Sequence, residues 1–338
     1  MADSLVNKLR EYLREAQGKE VSLRDIRTDL RIDPDSPAWD GLRKQMLRFA
    51  EQKIVSPTGR KDGTYRVVVP VKPVQVFSVK RDKRPPVDLY FPRDYNTGDE
   101  VEFAERIVIR EGDIITIGGQ SNMGKTCWCL NFCGENIDKR PVLMGNEYTT
   151  KVSGKENEYV PSPRFINRLE AMDWVDWVDE QGNDKLTLLP VKGDYAEHIV
   201  RNRLNIIDWI NLDGDRLYGI SKIMEDIKDA HGGGISIAAL QKGDGDKPRG
   251  GQFAKDFTDC ELLIDKFSDT ESLLTIGKVK EYTRPVMGKT YVFGVEQGIR
   301  IVGFREVVKC RACYGTGTWK GSKCASCSGL KYVDKEAL

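Results

Sequence analysis

Apolar positions in residues 1–70 recur with helical spacing. Leu5, Leu9, Tyr12 and Leu13 form one stripe, Leu23, Ile26 and Leu30 a second behind the cap residue Ser22, and Leu42, Met46, Leu47 and Phe49 a third. Three short helices are predicted. Two β-like runs follow between Lys53 and Val68, around a turn of Pro, Gly and Asp that carries Arg60 and Lys61 at its tip. Residues 71–104 break this rhythm: Pro73, Pro85, Pro86 and Pro92 flank the basic run Lys80-Arg-Asp-Lys-Arg84, and clustered prolines predict an extended linker.

From about Glu105 the pattern changes again. Short β-branched runs alternate with helical segments: Ile107–Ile109, Ile114–Ile117, Val142–Met144, Leu186–Leu189, Asn205–Ile207, Ile235–Leu240, Glu261–Ile264 and Leu273–Ile276. Strands separated by helices predict an α/β domain around a mainly parallel sheet over residues 105–304. Residues 305–338 are rich in Gly, Cys and Lys and hold no apolar pattern that would make a core. Such a module needs a staple.

Composition narrows the class. The 338 residues are 39% apolar and 31% charged, which suits folded domains with solvated surfaces. Lys and Arg number 53 against 52 Asp and Glu, so the net charge of +1 supplies no global attraction to polyanions; any basic surface is local. No apolar run approaches the ~20 residues that span a bilayer, and the N-terminus lacks a secretory apolar stretch. A soluble, cytoplasmic protein without a membrane partner is expected. Of the eight cysteines, Cys127, Cys129, Cys133 and Cys260 sit among apolar residues, as reduced core thiols do. With only His198 and His231 in the chain, a His-based triad has no material.

Directly after Ile114–Ile117 stands Gly119-Gln120-Ser121-Asn122-Met123-Gly124-Lys125-Thr126, a G-x-x-x-x-G-K-T sequence between a strand and a helix start. Glycines let backbone N–H groups wrap a phosphate, and the helix N-terminus adds partial positive charge. Lys125 supplies a point charge to the terminal phosphates of ATP, and the Thr126 hydroxyl is placed to ligate Mg²⁺. Such a site also needs a carboxylate at a strand end for the metal. Asp208, closing the run Leu204–Ile207, is the candidate; Asp213 and Asp215 compete from a nearby turn. Glu147 closes the Val142–Met144 strand, either as a site carboxylate or as a solvated loop residue.

The segment Gly112-Asp-Ile-Ile-Thr-Ile-Gly-Gly-Gln-Ser-Asn-Met-Gly-Lys-Thr-Cys-Trp-Cys-Leu-Asn131 resembles the P-loop of DnaB-type replicative helicases and their RecA-fold relatives, including the compact RepA-like ATPases of plasmids and phages. The resemblance implies a RecA-like ATPase core. It puts the catalytic Glu on Glu147, the Mg²⁺-holding Asp on Asp208, and a nucleotide-sensing Gln on Gln241, with Lys247-Pro-Arg249-Gly-Gly251 as a loop facing DNA in a hexameric channel. A neighbouring subunit would supply a cation, and Lys280 or Arg284 takes that role here. The chain thus reads as a DNA-dependent ATPase, a replicative helicase or translocase of a phage or mobile element. The alternatives are an ATP-switched replication initiator or regulator, and a strand-exchange recombinase.

The flanking modules carry their own chemistry. Helices followed by a hairpin over residues 1–70 predict a winged helix, with Arg43, Lys44 and Arg48 on the third helix and Arg60, Lys61 and Arg66 on the hairpin facing DNA phosphates. Those residues hold 14 Lys and Arg against 11 Asp and Glu, a weak surplus that also permits a protein partner. Cys310-x-x-Cys313 and Cys324-x-x-Cys327, ten residues apart, supply the four thiolates of a tetrahedral Zn²⁺ site, disulfides being the alternative. The repeats are similar to the C-x-x-C-x-G-x-G zinc modules of DnaJ chaperones. The second departs from that pattern at Leu330-Lys331, so metal binding carries over and chaperone activity does not. The module's lysines, with Tyr314 and Trp319, read either as solvent around a structural staple or as a small nucleic-acid patch.

Overall fold

The computed structural model describes residues 2–59, 63–73, 85–155, 158–210, 219–242 and 256–337. They fall into two compact units, residues 2–73 and 85–337.

The first unit runs α1 (Ala2–Glu15), β1 (Glu20–Ser22), α2 (Leu23–Asp29), α3 (Pro37–Glu51), β2 (Val55–Pro57) and β3 (Thr64–Val67), with the strands ordered β1-β3-β2 in an antiparallel sheet. Ser22 starts α2 through a reciprocal cap: its hydroxyl accepts from the Asp25 amide, and the Asp25 carboxylate takes the Ser22 N–H. Leu9, Leu13, Ile26, Leu42, Met46, Phe49, Tyr65 and Val67 close one apolar core. Leu47 departs from the expected stripe. It is 58% exposed, because Leu42, Met46 and Phe49 already face the core and position 47 falls on the opposite side of α3, beside exposed Arg43, Lys44 and Arg48. Arg66 on β3 is exposed as well. Arg60 and Lys61 lie outside the described residues.

The second unit is built on β4 (Ile114–Gly119), α4 (Lys125–Glu135), β5 (Val142–Met144), the hairpin β6 (Thr149–Lys151) and β7 (Tyr159–Pro161), α5 (Pro163–Glu170), β8 (Thr187–Leu189), α6 (Tyr195–His198), β9 (Leu204–Ile210), α7 (Ile220–Ala230) and β10 (Ile235–Gln241). β11 (Cys260–Lys266), β12 (Glu271–Val279), β13 (Thr290–Glu296), β14 (Arg300–Lys309), β15 (Thr318–Trp319), β16 (Ser322–Lys323) and β17 (Tyr332–Asp334) complete it. Ten strands form one sheet in the order β17-β14-β13-β12-β11-β4-β10-β9-β5-β8. From β11 to β8 every pairing is parallel; from β11 to β17 every pairing is antiparallel. Both faces of the parallel part are covered, as its near-continuous apolar strands require. Ile115, Ile117, Ile206 and Ile237 face the cluster of α4 and its aromatic neighbours, whereas Ile114, Ile207, Ala238 and Leu240 face α6 and α7. Among the described residues no helix is long and apolar enough to cross a membrane.

Three expectations change. Residues 85–104 are not a linker: Phe91, Val101 and Phe103 are buried against Trp128 and Phe132, and Asp94 accepts the Phe304 amide at 2.7 Å. Prolines stop regular structure there, but the aromatic residues between them supply enough apolar area to dock the strap on the core. Ile107–Ile109 is not a strand either; Ile107 makes only a single bridge to Tyr282. The division at residue 304 cuts through β14, which runs unbroken to Lys309, and β17 returns to pair with it, so the cysteine module hangs from the sheet edge.

Candidate nucleotide site and cysteine centre

The carboxyl ends of the parallel strands converge on the loop from Gly119 to Thr126. β11 passes so close that a Cβ on Gly119 would stand 2.7 Å from the Ile264 carbonyl oxygen, which only glycine avoids. Gly124, at φ 99°, caps α4 in the left-handed region. That turn aims the unpaired amides of the first helical turn into the cleft, where they and the helix dipole favour an anion. Lys125 folds back over the loop, its Nζ donating to the Gln120 carbonyl at 2.7 Å. Burial lowers the Lys125 ammonium below its usual range, while Asp208 and Glu147 oppose that shift.

Asp208 lies on β9, only 3% exposed. One carboxylate oxygen, Oδ2, accepts from the Tyr148 hydroxyl; the other, Oδ1, is buried and has no hydrogen-bond partner among the described residues. Burial raises its carboxyl above the usual range, with the hydroxyls of Tyr148 and Thr126 pulling it back. An orphaned buried carboxylate oxygen beside a threonine hydroxyl is an oxygen donor pair suited to a hard divalent cation. β5 pairs with β9, Met144 opposite Ile207, and so brings Glu147 alongside. Gly145 makes this approach possible, since a Cβ there would collide with the Asp208 carbonyl and the Tyr148 ring. Glu147 is exposed and its carboxylate accepts from Trp209 Nε1 at 3.4 Å. Gln241 ends β10, which lies between β4 and β9; it is opposite Gly119, and its Nε2 donates to Ser121 Oγ at 3.1 Å.

Residues 122–126, Glu147 and Tyr148 border a polar cleft of about 710 Å³, with Asp208 held behind the Tyr148 hydroxyl and Gln241 behind Ser121. Three further cations reach the cleft, Arg164 and Arg168 on α5 and Lys266 at the end of β11, together with residues 268–272. Neither arginine carries a sequence signature; they become visible once the hairpin after Glu147 folds α5 over the cleft. Lys242, equally silent in the sequence, is buried against Asp265 at 2.6 Å, and its amide donates to the Gly119 carbonyl.

Other candidate residues stand apart. Lys280 pairs with buried Asp259, which also accepts from Lys228 and from the Ile114 amide at the start of β4, the end away from the P-loop. Arg284 is exposed in the connection between β12 and β13. Lys247, Arg249, Asp213 and Asp215 lie outside the described residues.

The cysteine centre is local by contrast. The sulfurs of Cys310, Cys313, Cys324 and Cys327 are buried within 4.8 Å of one another, with Cys310 to Cys324 at 3.9 Å and Cys313 to Cys327 at 3.7 Å. A tetrahedral thiolate site with metal–sulfur bonds of about 2.3 Å requires sulfur separations of about 3.8 Å, whereas a disulfide requires about 2 Å. The Gly317 amide donates to Cys313 Sγ at 3.3 Å. Burial pushes the Cys313 thiol up, but that amide and the neighbouring sulfurs bring it down to about 6; burial drives Cys327 up to about 11.

Strand order and loop geometry together define an α/β core with a glycine-rich loop at the carboxyl end of a central parallel strand, and a cysteine module whose sulfurs are spaced for a tetrahedral metal. No protein-family model matches the sequence, and no curated protein does. Solved structures similar to this chain include a KaiC-like protein from the hyperthermophilic archaeon Pyrococcus horikoshii OT3, 17% identical, with 64% of this chain and 97% of that one covered at a TM-score of 0.45. Another is a RadB recombinase, 15% identical, with 57% and 91% covered at a TM-score of 0.41.

Proposed function

We propose that this chain is a DNA-dependent ATPase of the RecA/DnaB class that acts as a replicative helicase or translocase of a phage or mobile element. The observation that carries the reading is the meeting of residues 122–126 and Glu147 on one cleft, with buried Asp208 bonded to the Tyr148 that lines it. Amides from Gly119 to Thr126 bind the phosphates of ATP, and Lys125 leaves the Gln120 carbonyl to meet the terminal ones. Thr126 and Asp208 would hold Mg²⁺, which would supply neutralising charge to the terminal phosphates. Glu147, solvent-facing beside Asp208, orients the attacking water and accepts its proton. Gln241, already bonded to Ser121, links the state of the γ-phosphate to the segment bearing Lys247 and Arg249, which faces single-stranded DNA. Arg164 and Arg168 reach the nucleotide from the same subunit. The chain assembles into a ring, most simply a hexamer, in which Arg284 of a neighbour completes the site; Lys280 is the weaker choice because Asp259 holds it. The first unit serves as a winged helix whose Arg43, Lys44, Arg48 and Arg66 contact duplex phosphates, Zn²⁺ joins the four cysteines, and the protein works in the cytoplasm.

A second reading, an ATP-switched replication initiator or regulator without unwinding activity, is favoured by the Lys280–Asp259 pair, which removes one of the two candidate neighbour-supplied cations. ATP turnover measured with and without single-stranded DNA, with Lys125→Ala as control, separates the two. The motor reading expects DNA to stimulate turnover and a forked duplex to open. Turnover indifferent to DNA with a closed fork contradicts it, and sequence-specific duplex binding without unwinding supports the regulator.

A further inference from the structure

The cysteine module presents more than a staple needs. Between residues 309 and 331 stand Lys309, Arg311, Lys320, Lys323 and Lys331, with no Asp or Glu among them. All five are exposed, and none forms an ion pair among the described residues. A zinc tetrathiolate centre carries two negative charges, which leaves the module net positive on a chain whose overall charge is +1. The lysine stems lie along the glycine turns: a Cβ on Gly315 would meet Lys309, one on Gly317 would meet Lys331, and one on Gly329 would meet Lys323. Cation and knuckle are therefore one surface.

Two large aromatic residues stand exposed on that surface. Tyr314 is 82% exposed and Trp319 52% exposed. Tyr314 follows the second cysteine of its pair at φ 53°, and Ser328 holds the matching position of the other pair at φ 47°. A left-handed turn there is thus made with serine, so the tyrosine ring serves something other than the turn. Trp319 ends β15, and the β15–β16 hairpin turns at Lys320 and Gly321, both at positive φ, which displays indole and ammonium together at the tip. Exposed flat rings among unpaired cations suit unpaired bases on a phosphate backbone, since each base offers a π-face whatever its sequence.

We propose that the cysteine module is a binding site for single-stranded nucleic acid, in which Tyr314 and Trp319 stack on bases and the surrounding lysines meet phosphates. The site goes beyond the ATPase reading and needs no nucleotide. It is tested on the full, zinc-loaded chain without ATP, by fluorescence anisotropy with labelled oligothymidylate, oligouridylate and a duplex of equal length. Both single strands bind more tightly than the duplex, and the ratio of the two reports any DNA or RNA preference. Combined Tyr314→Ala and Trp319→Ala weakens single-strand binding about tenfold or more, with the salt dependence unchanged. Combined Lys320→Ala and Lys323→Ala lowers the slope of log affinity against log salt by about 1.4. One zinc per chain in each variant shows that the fold survives. If the alanine pair loses zinc, the Tyr314→Phe and Trp319→Phe pair replaces it and retains binding. Photo-crosslinking with 5-iodouracil oligonucleotides then places adducts at residues 314 or 319. Wild-type affinity in a zinc-retaining alanine pair, adducts only elsewhere, or no single-strand binding overturns the proposal; the last would leave these rings to a protein partner.

Discussion

The nucleotide cleft and the cysteine centre hold their functional groups by opposite means. The site around the cleft draws on four parallel strands and a helix, with Gly119, Glu147, Asp208 and Gln241 far apart in the chain, and all of it rests on a core in which Trp128, Phe132 and Phe293 are fully buried. Remove one of its polar side chains and the scaffold stands. The cysteine centre draws on 18 consecutive residues whose buried side chains are the ligands themselves, with Val333 the one apolar residue packed against them among the described residues. There the site is the core, and losing a ligand loses the structure. Function can thus be mutated without unfolding in one region and not in the other.

The sharpest way to break this contrast is to strip the metal. Chelation, or Cys313→Ser, should remove local folding free energy of about 10 kcal/mol, so hydrogen exchange should show amides 310–331 unprotected while β4 and α4 remain protected. Loss of protection in both regions would erase the distinction. Lys125→Ala should do the reverse, lowering ATP turnover at least about 100-fold, equivalent to about 3 kcal/mol at the transition state, with the thermal midpoint nearly unmoved. Glu147→Gln should cut turnover about 100-fold with Mg²⁺-ATP binding retained.

A smaller effect is expected where the sheet is buttressed. Burial pushes the Asp259 carboxyl up, but Lys280, Lys228 and the Ile114 amide hold it below the usual range. A depressed carboxyl contributes stability that is present above its unfolded pKa of about 3.9 and lost as pH falls through the lower folded value. Asp259→Asn should therefore cost about 2 kcal/mol at neutral pH, discounted for the partly exposed lysines, and the gap to wild type should start to narrow below about pH 4 and close as pH falls through the lower folded value. Urea midpoints across pH measure this; a gap that persists in acid contradicts the assignment. Smallest of all, Lys155→Ala, which breaks an exposed pair with Glu158, should change stability by less than about 0.5 kcal/mol.

What the sequence made legible follows the same division. The two Cys pairs and the P-loop are contiguous, so spacing alone displays their chemistry, and β-branched runs marked most parallel strands because burial on both faces leaves them uniformly apolar. β13 and β14 carry no such mark because Gly294 and Gly303 interrupt their apolar runs, Gly303 at φ 63°. The strap over residues 85–104 reads as a linker in the sequence because proline content says nothing about docking through aromatic residues. Arg164, Arg168, Tyr148 and Lys242 had no pattern to betray them; each matters through a neighbour that only the folded sheet supplies. The same limit applied to Lys280, whose partner Asp259 is 21 positions away.

The central claim is that the Gly119–Thr126 loop and Asp208 together hold magnesium and a nucleoside triphosphate. Titration calorimetry of the wild-type chain with ATP, in magnesium and then in EDTA, addresses it directly, with Lys125→Ala alongside. The account predicts one ATP per chain in magnesium, affinity weakened about tenfold or more without it, and no measurable heat with Lys125→Ala. Absence of binding by the wild-type chain, or binding that neither EDTA nor Lys125→Ala disturbs, would contradict it.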